Sequence, residues 1–191
     1  MERRGDTAER LLETARTLVQ TRGFNAVSFG DLADRIGIKT ASIHHHFPTK
    51  EDLGVALMEG YRTAMEEARV AIQQGKPDAP GRLRAYAELF ASTLKSGNRM
   101  CLGGMLAADL ETLPPRLQRQ VRAFIADETS WLATLLDAGR RAGSLKFEGD
   151  AQSCAQALFA SLEGAMLIAR AGAGAQTFRP MAERLVASLT G

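Results

Sequence analysis

Apolar residues recur at three- and four-residue intervals along almost the whole chain, and no stretch of convincing length alternates apolar with polar residues as a half-buried strand does. That period predicts an all-α fold. Ala8, Leu11, Leu12, Ala15, Leu18 and Val19 line one helical face, with Asp6 and Glu9 as a capping pair and Gly23 as terminator. Ser28 caps a second helix of about two turns over Phe29 to Ile36, with Asp31 in the capping-box place and Gly37 at its end. A third segment runs from about Lys39 to His46 and closes at Phe47-Pro48, because proline disfavours helix in the residue before it. Three short helices thus fall within the first fifty residues.

Thr49 caps a longer helix with Glu51 and Asp52 in its first turn, where the helix dipole favours carboxylates. Further stripes follow: Leu83 to Leu94, a short helix around Leu102 to Leu110, a long one over about Pro115 to Arg141, and a last one from Phe178 to Leu189. About nine helices result. The segment Ala151 to Ala171 differs, because Gln152, Gln156, Glu163 and Arg170 fall on one narrow line and the rest of its circumference is apolar or small. A helix of that kind packs on its own bundle on one side and on a second chain on the other. Leu158, Ser161, Leu162, Gly164 and Ala165 are the expected homodimer contacts.

With 191 residues, 45% of them hydrophobic, and a net charge of only +2, the chain can bury a sizeable core and is not a disordered polyelectrolyte. No apolar run approaches the roughly 20 residues that cross a bilayer, and the charged N-terminus lacks the continuous apolar stretch of an export signal. A soluble, cytoplasmic protein with no membrane partner is the expectation. Cys101 and Cys154 are too few and too far apart for a disulfide framework or a four-ligand zinc site.

The short helices, the last two separated by a tight Gly37-Ile38 turn, fit a helix-turn-helix. Residues 1 to 60 hold eight Lys+Arg against nine Asp+Glu, so this segment is not a basic domain. From Arg35 to Lys50, however, there are three fixed cations, three histidines and no carboxylate. A phosphate-facing surface needs such local exclusion of acids. On charge alone, a DNA-facing surface and a neutral three-helix cap stand even.

Gly23-Phe24, Val27-Ser28, Ile36-Gly37-Ile38 and His46-Phe47-Pro48-Thr49-Lys50-Glu51-Asp52-Leu53 resemble the N-terminal signature of TetR-family transcriptional regulators over about residues 7 to 57. The resemblance implies a homodimer with a helix-turn-helix domain (1–49) and a larger effector-binding and dimerisation domain (50–191). It implies a ligand-responsive repressor that releases a double-stranded, inverted-repeat operator when an effector changes the spacing of its two recognition helices. Residue by residue, it makes Ser28 a cap and phosphate donor, places Lys39, Thr40 and Ala41 at the base edges, and gives Lys50 a phosphate contact. His44 stands where the family usually has a tyrosine, and its shorter imidazole puts that contact in doubt.

His44-His45-His46 is no metal site, because consecutive helical residues point about 100° apart, and no other histidine exists in the chain. There is no phosphate-cradling glycine loop, no nucleophile elbow and no histidine elsewhere to act as a base, so neither an enzyme nor a cofactor is expected. The competing reading is a helical small-molecule-binding or scaffold protein whose helix-turn-helix has decayed. Tyr86, Phe90, Met105, Phe124 and Trp131 lie on stripes that line either an effector pocket or an ordinary core. Glu128 sits in line with Leu117, Val121, Phe124, Leu132 and Leu135, which turns a carboxylate either inward or to the edge of the stripe. Cys101 precedes Gly103-Gly104, a pair costly in a helix, so this segment is either mobile or closely approached. The stretch resembles the electrophile-sensing members of the family, of the N-ethylmaleimide reductase repressor type. Cys101 at a helix start, with Lys95 and Arg99 nearby, is the candidate reactive thiol, and Cys154 is read as a buried small residue.

Overall fold

The computed structural model describes residues 4–190, and among these it contains helices and no strand. They are α1 (Arg4–Arg22), α2 (Phe29–Ile36), α3 (Thr40–His46), α4 (Lys50–Gly75), α5 (Ala79–Lys95), α6 (Leu102–Ala108), a 3-10 turn (Leu110–Thr112), α7 (Pro115–Arg141), α8 (Ala151–Ala171) and α9 (Ala175–Thr190). Local chemistry sets most of the ends. Ser28 and Asp31 form a reciprocal capping box on α2, and Gly37 ends it at φ 77°, a left-handed conformation glycine adopts without a Cβ penalty. Thr49 and Asp52 repeat the box on α4, with the Thr49 hydroxyl 2.6 Å from Asp52 Oδ2. α1 begins at Arg4, two residues before Asp6, so Asp6 stands inside the helix rather than at the capping position expected for it.

The chain forms two compact units, neither of them one continuous stretch. The first comprises the residues up to Thr63 with Leu102–Phe124, so residue 49 falls inside it. Its core holds Leu11, Leu32, Ile43, Met58, Leu106 and Leu117, all without solvent exposure. Phe24 N–H donates to Asp109 Oδ2 at 3.1 Å, and Arg116 pairs with Asp52 at 2.8 Å. Gly103 is the expected point of close approach: a Cβ there would lie 2.1 Å from the Phe124 ring, so α6 accepts glycine's poor helix propensity in return for contact with α7.

The second unit comprises Ala64–Cys101 and Ile125 onward. Here α5 packs against α8 and α9. Phe90 stands edge-on to Phe159 and is stacked on Phe178, with ring centroids 6.4 and 6.2 Å apart. The apolar circumference of α8 divides into two faces. Leu158, Leu162 and Ala165 are buried within this chain, whereas Ser161 and Gly164 are exposed together with Leu167 and Ile168, at 59% and 61%. The first three are therefore core residues of their own unit rather than contacts open to a second chain.

Candidate functional site

In the first unit the turn between α2 and α3 leaves one face of α3 in solvent. Ile43 is fully buried and anchors the helix, while Lys39, Thr40, Ala41, Ser42, His44 and His45 are exposed. Lys39 occupies the N-cap of α3 and makes no capping bond with its side chain. A groove of about 470 Å³ runs along this helix, lined by Thr7, Ile38, Ala41, Ser42, His45 and His46.

The polar groups beside that face are held by partners within the chain. His44 Nδ1 lies 3.1 Å from the Pro48 carbonyl, which can only accept, so Nδ1 carries the proton and a neutral ring leaves Nε2 as an acceptor. The ring also stands edge-on to Phe29, 4.9 Å between centroids. Lys50 Nζ lies 4.6 Å from the centre of the Phe24 ring and donates to the Asn25 carbonyl at 3.4 Å. Partial burial there moves its pKa down, against the pull of Asp109 and Asp31. An ammonium has three donors, so Lys50 retains two for a phosphate. Ser28 differs from its expected role. Its amide donates to Asp31 Oδ2 at 2.7 Å and its hydroxyl is bonded to the same carboxylate, so it caps α2 as expected but has no donor left for a phosphate.

In the second unit, polar groups gather around a buried carboxylate. Glu128 is 0% exposed, accepts from the Tyr86 hydroxyl at 2.7 Å and pairs with Arg69 Nη1 at 2.5 Å. Burial pushes the Glu128 carboxyl up while Tyr86 and Arg69 draw it back, and the same burial with the Glu128 charge drives Tyr86 well above its ordinary value. Tyr86 lies 5.2 Å from the Trp131 ring and 5.5 Å from Phe90. Glu163 of α8 joins them: burial raises it to about 7, the Glu128 charge adds to the rise, and a hydrogen bond from the Cys101 thiol opposes it. Glu163 Oε1 and Trp131 Nε1 are buried without a hydrogen-bond partner.

The structure thus brings together Tyr86, Phe90, Cys101, Glu128 and Trp131 of the expected effector residues. Met105 and Phe124 belong to the first unit, where Phe124 packs on Tyr61 with centroids 5.4 Å apart. Arg69 and Glu163 were not singled out from the sequence. Arg69 carried no signal of its own, whereas Glu163 had one in being the only carboxylate of α8. Cys101 also departs from expectation: it is 3% exposed, its backbone amide points at Met166 Sδ at 3.3 Å, and its thiol is hydrogen-bonded to the Glu163 carboxylate. Cys154 is half-buried, with its thiol pKa raised by desolvation.

Two family models match this chain: "Bacterial regulatory proteins, tetR family" over residues 11–57, and "Tetracyclin repressor-like, C-terminal domain" over residues 79–183. The transcriptional repressor NemR of Escherichia coli K12 is 28% identical over 187 residues, covering 94% of this chain and 90% of its own. The crystal structure of a TetR-family transcriptional regulator from Agrobacterium tumefaciens superposes with a TM-score of 0.95 at 32% identity, covering 99% of this chain and all of that one. That of the reduced form of Escherichia coli NemR gives 0.82 at 26% identity, covering 96% and 97%. No described helix is long and apolar enough to cross a membrane. With an N-terminal helix-turn-helix match and a C-terminal match over more than half its length, the chain belongs to the TetR family of bacterial regulatory proteins, ligand-responsive DNA-binding regulators of transcription.

Proposed function

We propose that this chain is a homodimeric repressor, not an enzyme, that holds an inverted-repeat operator through α3 and releases it when an effector enters the buried polar cluster of the second unit. The observation that carries this reading is the cluster itself: a domain interior that keeps two unpartnered polar atoms beside Tyr86, Glu128 and Arg69 is built for something besides packing. Lys39, Thr40 and Ala41 meet the major groove, with Lys50 at a flanking phosphate, while His44, whose Nδ1–H is held by the Pro48 carbonyl, braces α3. Division of labour follows the expected segments, residues 1–49 reading DNA with Lys50 at their border, and the remainder of 50–191 holding the effector and pairing the chains. Arg69 and Lys50 lie on the same helix, α4, which supports its use as the connecting element. The exposed α8 face around Ser161, Gly164, Leu167 and Ile168 supports pairing of two chains, with half-sites about 34 to 36 Å apart or a multiple of that. Such a protein works in the cytoplasm.

The hydrogen bond between Cys101 and Glu163 favours a second reading, release by modification of the thiol inside the same cluster. Sequencing the fragments the protein retains from sheared genomic DNA supplies the operator, and a shift assay on that DNA tests both readings. N-ethylmaleimide is expected to release the parent and to leave Cys101→Ser bound if modification is the trigger. Equal release of both proteins removes the covalent reading. Retention of no sequence in preference to bulk DNA contradicts the regulator reading and favours a binding protein with a decayed helix-turn-helix.

A further inference from the structure

The geometry points to a small organic cation, an amine with an aromatic or apolar body, as the ligand of the cluster formed by Glu163, Trp131, Tyr86 and Glu128. This rests on the effector reading above and narrows it to one chemical class. Among the charged groups here, Arg69 is bonded to Glu128, which also receives the Tyr86 hydroxyl, so that pair is internally compensated. Glu163 has no cation. Its partners are the Cys101 thiol and the unfavourable Glu128 charge, and Oε1 accepts from nothing.

A buried carboxylate oxygen without a donor costs free energy that an incoming ammonium recovers, because the ammonium supplies both the hydrogen bond and the missing positive charge. Trp131 sets the complementary demand. Its Nε1–H is buried and donates to nothing, which suits a ligand oxygen near the amine. The Tyr86 and Trp131 rings, 5.2 Å apart, and Phe90, 5.5 Å from Tyr86, offer the aromatic faces that attract an organic cation. Glu163 and Trp131 are each partly exposed although these polar atoms are sealed, so the cluster lies close beneath the surface of the unit. An anionic ligand would meet two carboxylates, with Arg69 already engaged by one of them.

Burial that lifts Glu163 to about 7 adds a signature. A cation binds the ionised carboxylate, so binding expels the proton and affinity falls as pH drops from 8 to 6.

Trp131 is the chain's single tryptophan, so its fluorescence reports binding in the full-length protein. The probes are benzylamine, 2-phenylethylamine, 3-phenylpropylamine and 2-amino-1-phenylethanol, each with its shape-matched alcohol or diol and carboxylate. At least one amine is expected to bind tenfold or more tightly than both counterparts at pH 8, with affinity falling towards pH 6. Glu163→Gln is expected to remove the preference. No amine outperforming its counterparts, or a preference that survives in Glu163→Gln, overturns the proposal. The comparison of amine with carboxylate and the pH series use the unaltered protein, so they decide the matter even if the variant does not fold. Selectivity that is absent while the unliganded protein still binds its operator breaks this inference alone; amine selectivity without operator binding breaks the regulator reading and leaves this one standing.

Discussion

The exposed face of the first unit and the interior of the second distribute polar groups in opposite ways. Around α3, groups that a reader of the sequence expects to be available are engaged: Ser28 with Asp31, His44 with Pro48, Lys50 with Asn25 and the Phe24 ring. Inside the second unit, where each polar group should be satisfied, Glu163 Oε1 and Trp131 Nε1 are not. The difference is physical. On a surface, water competes for every donor, so a group held by an internal partner loses little and gains a defined direction. In an interior, an unmade hydrogen bond has no water to replace it and remains as a cost until a ligand arrives.

The largest effect that can break this comparison lies at Glu128. Glu128→Ala leaves Arg69 and the Tyr86 hydroxyl buried without their acceptor and is expected to cost about 3 to 5 kcal/mol in urea unfolding. Replacing Arg69 by Met and Glu128 by Leu together should recover much of that loss, since the pair's desolvation disappears with it. Next comes Gly103→Ala, whose Cβ would press into the Phe124 ring, at about 1 to 3 kcal/mol by the same assay. Gly60→Ala, with open space around the new atom, should show no such penalty.

Glu163→Gln sharpens the contrast through pH. The folded-state carboxyl lies above its ordinary 4.5, so the folded protein holds the proton more firmly than the unfolded chain. The parent therefore loses stability as pH rises from about 5 through 7, and the glutamine variant does not. Their melting curves should converge at pH 5 and separate at pH 8 by on the order of 1 to 2 kcal/mol. The smallest effect is Ser28→Ala, which removes the α2 cap at about 1 kcal/mol.

The helices were legible because their signals are local. Ser28 with Asp31, Thr49 with Asp52, and Gly37 each announce an end within four residues, and the structure places these ends where the spacing predicts. Glu128 was legible as a carboxylate in register with leucines. Glu163 was harder, because it shares a line with Gln152, Gln156 and Arg170, and nothing in that spacing says which of the four is buried. The α8 faces were not separable in advance either. A helix that is apolar nearly all round has no phase, and only packing against α5 and α9 decides that Leu158 and Leu162 turn inward while Leu167 and Ile168 do not. The folding of Lys50 onto Phe24 joins residues 26 positions apart, beyond any periodicity.

The central claim is that the exposed face of α3 holds DNA, and the salt dependence of operator affinity tests it most directly. Fluorescence anisotropy of the retained operator, titrated with the parent at a series of salt concentrations, should give a steep fall in log affinity against log salt. Lys50→Ala should lower affinity for all sequences and reduce that slope by about one, whereas Thr40→Ala should change which sequences are preferred with the slope unchanged. A parent whose affinity ignores both salt and sequence, or variants whose curves superimpose on the parent's, would contradict the account.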